Sequence, residues 1–408
     1  MTKYEGQHLL KETKDIVGQC DRCGTCLPVC PLFGVKDIES SSARGKNNIA
    51  RAMVEGGIQP DSQVMDVVNF CLLCRTCISN CPNKVRTDEV MTNIRQYITD
   101  KKGSPGLKYR VLGKVLKDKT LLKLSAGALN LINKLKLNRA VPYGMAPGRF
   151  TREEYLKNFA GPAVLSGVSL QAKKDITKEM KVAYFRGCGM EMFFPEAISD
   201  SLKVLNSIAE VELVDNLCCG LPHLSHGLRK DFFEMAKKNI LLYKHIDIVV
   251  SDCASCSGTL KHIGSYFKDD HEWNSEADAF SKKVMSFSEF LVKAGYQPQR
   301  RNQAKLTFHE PCHLGRGQGI KKEPRQLLKL AGEYVEMAGS DVCCGGAGSF
   351  HIDYPQTADA ILEKKRLNIE KSEANIVVTE CPVCLVQLSK AAQRSGEKFQ
   401  AMHISQVV

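Results

Sequence analysis

The cysteines constrain this sequence more than any other feature. The 408-residue chain contains 18 of them, in four ordered groups with none left over. The groups are Cys20, Cys23, Cys26 and Cys30; Cys71, Cys74, Cys77 and Cys81; Cys188, Cys218, Cys219, Cys253 and Cys256; and Cys312, Cys343, Cys344, Cys381 and Cys384. This order indicates ligation of metals or clusters, since disulfides are rare in a reducing cytosol.

The composition and the first residues of the chain indicate the broad class of protein. Hydrophobic residues make up 43% of the chain and charged residues 25%, which is typical of a globular protein rather than a disordered or coiled-coil one. The start, Met1–Gly6, contains no apolar secretory segment. No run of 18 apolar residues follows that could span a membrane. We therefore expect a cytoplasmic protein.

The first two cysteine groups share the spacing C-x2-C-x2-C-x3-C-P. In this ferredoxin pattern three cysteines hold one cubane [4Fe–4S] cluster and the fourth, before proline, ligates the other cluster. The predicted ligand sets are therefore Cys20, Cys23, Cys26 and Cys81 for one cluster, and Cys71, Cys74, Cys77 and Cys30 for the other. A pair of zinc sites is the weaker alternative, because zinc more often uses paired C-x2-C motifs. With a helix expected over Asn47–Val54, residues 1–100 are predicted to form a helical two-cluster domain.

The last two cysteine groups belong to an internal repeat. The parallel segments are Val182–Cys188 with Leu306–Cys312, Val211–Leu213 with Val335–Met337, Ile248–Cys253 with Ile376–Cys381, and Met285–Phe290 with Met402–Val407. Short β-branched runs end at cysteines, and helices are expected between them, most clearly over Asp231–Ile246 and Pro355–Ser372. This alternation predicts two tandem α/β domains, residues 181–300 and 301–408, each with a largely parallel sheet. Cysteines would then gather at the carboxyl ends of the strands.

Other residues near the cysteines are candidates for supporting roles. Glycines follow both Cys-Cys pairs and predict tight turns that let backbone approach a bulky inorganic group; they are Gly220, Gly345, Gly346 and Gly348. Histidines next to the cysteines either tune a cluster or relay protons, or are ordinary hydrogen-bonded residues; they are His223, His226, His309, His313 and His351. Glu310 and Arg316 either bind an anionic substrate or lie in solvent.

Residues 101–180 are predicted to form a basic amphipathic linker. The net charge is +12, and residues 101–139 combine many lysines and arginines with leucines at helical spacing. Two interpretations stay open: peripheral contact with the cytoplasmic face of a membrane or with a membrane subunit, and docking against another domain or subunit. Nucleic acid is not an expected partner, because no recognised nucleic-acid-binding fold accompanies the charge.

The two five-cysteine groups resemble the family of iron–sulfur proteins with CCG cysteine-rich domains. The shared pattern is Cys, then Cys-Cys-Gly, then Cys-x2-Cys, and a two-cluster ferredoxin domain often precedes it. The family includes heterodisulfide reductase catalytic subunits and the iron–sulfur subunits of glycolate oxidase, lactate utilisation and anaerobic glycerol-3-phosphate dehydrogenase. The resemblance implies one noncubane [4Fe–4S] cluster in each complete five-cysteine set. A zinc or cubane site in one repeat, and thiols without metal, are the alternatives.

The expected function is electron transfer within a multisubunit oxidoreductase. No G-x-G-x-x-G motif follows a predicted strand, so the chain has no dinucleotide site of its own. The resemblance implies that a flavoprotein dehydrogenase for a 2-hydroxy acid, such as glycolate or lactate, supplies electrons that pass to a quinone or another acceptor, with further electron-transfer subunits as partners. The alternative is a heterodisulfide reductase-like subunit that reduces a disulfide at a noncubane cluster. The sequence identifies no catalytic residue, and a purely structural metal scaffold fits the cysteine order less well.

Overall fold

A computed structural model describes residues 3–102, 106–122, 124, 180–298 and 302–408. Most of the predicted linker, residues 101–180, lies outside these ranges. The predicted domain limits near residues 100, 180 and 300 stay predictions.

Helices dominate the first part of the chain and alternate with strands in the rest. The helices are α1 Lys3–Gly18, α2 Phe33–Lys36, α3 Ala43–Val54, α4 Ser62–Asn69, α5 Thr76–Asn80, α6 Thr87–Lys102, α7 Leu107–Lys117, α8 Cys188–Phe193, α9 Pro195–Ile208, α10 Leu221–Ser225, α11 Arg229–Leu242, α12 Ala254–Lys261, α13 Ile263–Tyr266, α14 Asn274–Lys283, α15 Phe287–Lys293, α16 Cys312–Gln318, α17 Lys322–Ala331, α18 Phe350–Asp353, α19 Pro355–Lys371 and α20 Pro382–Arg394. The strands are β1 Lys181–Tyr184, β2 Glu210–Leu213, β3 Val249–Ser251, β4 Val284–Ser286, β5 Asn302–Phe308, β6 Gly332–Tyr334, β7 Ile376–Thr379 and β8 Gln400–His403.

The N-terminal domain is helical, as predicted. Helix α1 packs against α3 and α6 around a core that includes Val17, Ala50 and Ile94, each fully buried. Helix α3 begins four residues before the predicted Asn47, because the Ser42 hydroxyl caps it by accepting the N–H of Gly45 at 3.1 Å. The helices thereby hold the two cysteine-bearing loops in place.

The two repeats have the same sheet topology. Each sheet has four parallel strands, in the order β2-β1-β3-β4 in the first repeat and β6-β5-β7-β8 in the second. The predicted tandem α/β architecture is confirmed. The helices expected over Asp231–Ile246 and Pro355–Ser372 are α11 and α19, with ends that differ by four residues or fewer.

One part of the predicted repeat alignment is wrong by one residue. The sequence parallel matched Val211 with Val335, but Val211 pairs with Val182, whereas the equivalent Leu306 pairs with Tyr334. The second sheet has an irregularity between Asn302 and Lys305. The register of a short strand is set by pairing with its neighbour, so a comparison of the two sequences does not detect the shift.

The two repeats are packed into one unit. A continuous hydrophobic core contains buried strand residues of both, such as Val182 and Leu306. The backbone N–H of Ala254 donates to Glu380 O at 2.7 Å, and His403 Nε2 lies 2.9 Å from Asp252 O. The carboxyl ends of the two sheets are therefore held close together.

The described part of the basic segment docks on both repeats. Tyr109 OH donates to Asp353 Oδ2 at 2.5 Å, and Lys108 pairs with the same carboxylate. Lys117 pairs with Asp231 at 2.7 Å on α11 of the first repeat. These contacts support the docking interpretation for residues 106–122. No helix in the described ranges combines the length and the apolar character needed to cross a bilayer.

Candidate metal centres

The first candidate site is a cavity between the two ferredoxin-like loops. Its wall contains Cys20, Cys23 and Cys26 from the first loop together with Cys81 from the second, and its volume is about 430 Å³ including its open mouth. Cys77 also reaches this wall. The structure thus brings together the four cysteines that the crossed spacing predicts as one ligand set.

The second candidate site is a neighbouring cavity with the reciprocal set. Cys71, Cys74 and Cys77 line it together with Cys30 from the first loop, and its volume is about 420 Å³ including its mouth. Because Cys77 reaches both cavities, the two sites are adjacent.

Backbone conformation explains how each loop turns its sulfurs inward. Left-handed φ values recur at the third and fifth residues of both motifs: +58° at Arg22, +86° at Gly24, +52° at Leu73 and +60° at Arg75. Non-glycine residues in this region cost roughly 1 kcal/mol each, and such strain is usually kept where a site requires it.

The first five-cysteine set gathers at the carboxyl end of the first sheet. Cys188 Sγ lies 3.5 Å from Cys218 Sγ. The adjacent Cys219 contacts Cys256, whose backbone N–H donates to Cys253 Sγ at 3.4 Å. All five predicted residues are therefore neighbours, as their positions after β1, β2 and β3 require.

The second set occupies the same end of the second sheet. Cys344 Sγ lies 3.4 Å from Cys384 Sγ, Cys344 also contacts Cys343, and Cys384 contacts Cys381. Cys312 lies close enough to Cys344 and Cys381 for their charges to act on it. The structure thus brings this predicted set together as well.

Glycines permit the turns after both Cys-Cys pairs. Gly220 has φ +86° and Gly345 has φ +80°; an added Cβ would lie 2.5 Å from Phe232 Cδ2 and 2.8 Å from Ala358 O, respectively. Gly348 is also left-handed, at φ +61°. The predicted tight turns are confirmed at these three positions. At Gly346 the reason differs, because a Cβ would lie 2.6 Å from Val383 Cγ1 on α20.

The chemistry of the donors fits iron–sulfur clusters. All 18 cysteines fall within the described ranges, and none forms a disulfide. Burial raises the pKa of Cys312, and contact with Cys384 lowers the pKa of Cys381 to about 7. Sets of four or five converging sulfurs are ligands for iron–sulfur clusters or zinc. Ligation would account for so many thiols gathered in four groups, half of them buried.

Two lysines that the sequence analysis did not select lie beside these sites. Lys46 is 1% exposed, lines the second cavity and donates to Ser40 O at 3.3 Å. Lys365 is 0% exposed and donates to Gly339 O at 2.6 Å. Burial lowers the pKa of both, that of Lys365 to about 8, while nearby cysteines favour the charged forms.

Arg316 links the N-terminal domain to the second repeat. Its Nε donates to Cys74 O at 2.9 Å and its Nη1 to Asp341 O at 2.7 Å, and its side chain is 4% exposed. Contact with Cys343 lowers the pKa of Cys74 to about 5. The expectation that Arg316 lies in solvent is wrong, and the alternative, that it binds an anionic substrate, stays a prediction. Glu310 is likewise buried, in an ion pair with Arg325 at 2.8 Å.

Histidines near the cysteines have different environments. His223, His226 and His351 have ring nitrogens that are hydrogen-bonded to Gly113 O at 2.9 Å, Ser349 Oγ at 3.0 Å and Gly346 O at 3.2 Å. Burial lowers the pKa of His313 to about 4. His309 differs from these, since a ring nitrogen lies within 4.8 Å of the sulfurs of Cys344 and Cys384.

Buried carboxyls precede the last cysteine pair of each repeat. Asp252 Oδ2 accepts hydrogen bonds from Tyr184 OH at 2.6 Å and Ser201 Oγ at 2.8 Å. Glu380 Oε1 accepts the N–H of Ser288 at 3.3 Å. Burial raises the pKa of both carboxyls, that of Glu380 to about 8. The Glu380 side chain therefore joins the two repeats, whereas that of Asp252 bonds within the first repeat.

A helical domain with two crossed four-cysteine cavities, followed by two five-cysteine α/β repeats, defines a class of iron–sulfur proteins. Comparison with family profiles agrees: residues 16–85 match a 4Fe-4S dicluster domain. Residues 182–261 and 306–389 each match the CCG cysteine-rich domain. The chain therefore belongs to the family of iron–sulfur proteins with CCG cysteine-rich domains.

Curated relatives have the same character. A probable glycolate oxidase iron–sulfur subunit of Bacillus subtilis is 29% identical over 437 residues, covering 100% of this chain and 98% of the relative. Lactate utilization protein A 2 of Bacillus cereus is 28% identical over 236 residues, or 56% of this chain and 98% of the relative. An uncharacterized iron–sulfur protein of Methanococcus maripaludis is 25% identical over 384 residues, or 92% of this chain and 67% of the relative.

Proposed function

We propose that this chain is the iron–sulfur electron-transfer subunit of a multisubunit oxidoreductase. Its electron donor is a flavoprotein dehydrogenase for a 2-hydroxy acid such as glycolate or lactate, and its acceptor is a quinone or another carrier. The names of the Bacillus subtilis and Bacillus cereus relatives support this substrate class.

The observation that carries the proposal is the continuity of the four cysteine groups. Cys77 reaches both N-terminal cavities, and Cys74 contacts Cys343 of the second repeat. Ser255 Oγ, beside Cys253 of the first repeat, lies 3.5 Å from Cys381 Sγ of the second. Adjacent one-electron centres are what long-range electron transfer needs, and bound clusters would supply them.

The ligand assignment is part of the proposal. Each N-terminal cavity would hold a cubane [4Fe–4S] cluster through its crossed cysteine set, and each five-cysteine set would hold a noncubane one. The chain's own residues bury these sites: eight of the ten repeat cysteines are buried, and Cys188 and Cys312 are partly buried. Lys46 and Arg316 place positive charge beside the cysteine sulfurs, which offsets the cost of burying anionic sites.

The experiment that tests this function is anaerobic purification of the native complex. We expect a flavin-containing partner to co-purify, and the clusters of this chain to be reduced when glycolate or lactate is added. Arg316→Lys is a useful variant, because it keeps the charge but loses the paired donors to Cys74 O and Asp341 O; it should slow that reduction at unchanged iron content. Lys322→Arg, an exposed change, is the matched control.

Disulfide reduction by the chain alone would overturn the electron-transfer role. If the isolated, reduced chain were oxidised rapidly by a disulfide, without any flavoprotein, the heterodisulfide reductase-like alternative would replace it. No catalytic residue for that reaction is assigned.

Membrane contact by the basic segment is best tested by deleting a short part of it rather than the whole segment. Deleting residues 106–122 would also remove the ion pairs of Lys108 and Lys117 with the repeats. A deletion restricted to residues 126–139, followed by a vesicle flotation assay of the intact complex, tests membrane contact without breaking those pairs. Unchanged flotation would remove this contact from the proposal.

A further inference from the structure

The two repeats differ at one buried position beside their cysteines. The residue after the first strand is Phe185 in the first repeat and His309 in the second. Their equivalence is structural, because the N–H of Phe185 donates to Val250 O at 2.8 Å and that of His309 donates to Val378 O at 2.9 Å. Phe185 is 0% exposed and His309 is 1% exposed. The same site is thus apolar in one repeat and polar in the other.

The imidazole of His309 makes no well-formed hydrogen bond with the described residues, and its polar contact is with the sulfur of Cys344. Neither Nδ1 nor Nε2 makes a hydrogen bond that meets ordinary geometry, although both atoms are buried. A buried polar group left unpaired costs about 1–3 kcal/mol, so such groups usually mark a missing ligand or a functional site. One ring nitrogen lies within 4.8 Å of both Cys344 Sγ and Cys384 Sγ. The unpaired ring therefore lies against the proposed ligands.

The two repeats also differ in the charge of a buried residue near their cysteines. Lys365 on α19 lies close enough to Cys343 and Cys344 for their charges to favour its protonated form. In the first repeat the buried polar residue on α11 is the neutral Asn239, whose Nδ2 donates to Cys218 O at 3.1 Å. The second site therefore has a lysine and an imidazole where the first has an amide and a phenyl ring.

We propose that His309 donates an N–H hydrogen bond to a sulfur of the cluster held by the second repeat, which gives this cluster a more positive reduction potential than that of the first repeat. The inference rests on the proposed cluster ligation. Hydrogen bonds to cluster sulfurs and nearby positive charge both stabilise the reduced, more negative form. His309 is a positioning and tuning residue here, and of the two repeats the second is the one that takes up an electron more readily.

A redox titration followed by electron paramagnetic resonance tests this with a reciprocal pair of variants in the full chain. His309→Phe should shift the midpoint of one signal to a more negative potential and leave the others in place. Phe185→His should shift a different signal to a more positive potential. His309→Gln, which keeps an N–H donor, should restore part of the first shift. A midpoint that is unchanged in His309→Phe at full iron content would overturn the inference.

A measurement on the unaltered chain covers the case in which a variant fails to fold. With ¹⁵N-labelled histidine, pulsed resonance of the reduced second-repeat cluster should show one weakly coupled nitrogen, as expected for a hydrogen bond. No coupling, or the strong coupling of a nitrogen bound directly to iron, would contradict the proposal. Iron analysis distinguishes a failure of the proposed ligation from a failure of this inference. Absence of iron from the second repeat refutes the proposed ligation. A cluster that is present but shows no nitrogen coupling refutes only the hydrogen bond from His309.

Discussion

The two cysteine-rich repeats have the same sheet topology but different polar interiors. Their sheets share strand order, and their cysteines occupy equivalent strand ends. The side chains around those cysteines have diverged: Phe185 corresponds to His309, and Asn239 occupies a place comparable to that of Lys365. The two repeats therefore gather their cysteines at equivalent strand ends but surround them with different side chains. Two sites with identical donors can therefore have different properties.

The largest expected effect comes from removing one equivalent ligand in each repeat. Cys256→Ala and Cys384→Ala should each lose one cluster, about a quarter of the total iron, because a five-cysteine site without this residue cannot complete its ligand set. Iron and sulfide analysis after anaerobic purification measures the loss. Full iron content in both variants would show that the repeats do not hold clusters through these residues.

Replacing the glycine after each Cys-Cys pair should lower the unfolding free energy by a different amount in each repeat. Gly345→Ala places a Cβ against the backbone oxygen of Ala358, which cannot move away, and should cost about 3 kcal/mol of unfolding free energy. Gly220→Ala meets the side chain of Phe232 and should cost about 2 kcal/mol. Urea unfolding gives both values. Gly295→Ala is a control, with a similar left-handed φ of +70° but open space around it.

Apolar replacements of the buried polar residues on α11 and α19 should also lower the unfolding free energy, by amounts that differ between the repeats. Asn239→Leu leaves two buried backbone groups without partners, Leu217 N–H and Cys218 O, and should cost about 2 kcal/mol. Lys365→Met also removes hydrogen bonds, but it relieves the burial of a charge and should cost only about 1 kcal/mol. Equal losses in chemical unfolding would mean that the lysine is not buried as a charged group.

A pH dependence is expected where the turns of the two repeats meet, and it affects the two repeats together rather than one of them. His226 stacks on Tyr109 with centroids 3.9 Å apart, and burial lowers its pKa to about 3. Its ordinary pKa is 6.5, so between these values the unfolded chain binds a proton that the native ring does not, and stability falls as the pH drops below 6.5. Going from pH 7 to pH 5 should cost up to about 2 kcal/mol.

His226→Gln isolates that contribution. The variant should lose less stability than the parent over the same pH interval, and comparing the two chains removes the acid lability of the clusters that both share. A parallel decline in both chains would contradict the assignment to His226.

Sequence alone predicted the architecture because cysteine spacing and strand patterns are local signals. The crossed sets, the tandem repeats and the turn glycines were all visible in this way. The one-residue shift at Val335 was not, because strand register depends on pairing with the neighbouring strand. The burial of Lys46 and Lys365 and the bridging role of Arg316 depend on which helices and domains pack together. The exchange of Phe185 for His309 could be read from the aligned repeats, but its contact with Cys344 required the structure.

The most direct test of the central claim is the iron and acid-labile sulfide content of the anaerobically purified full chain, with Mössbauer spectra to show how the iron is bound. Four clusters predict about 16 iron atoms and about 16 sulfides per chain. A total near 8 iron atoms, with the ten repeat cysteines free or holding zinc, would contradict the assignment of clusters to both repeats.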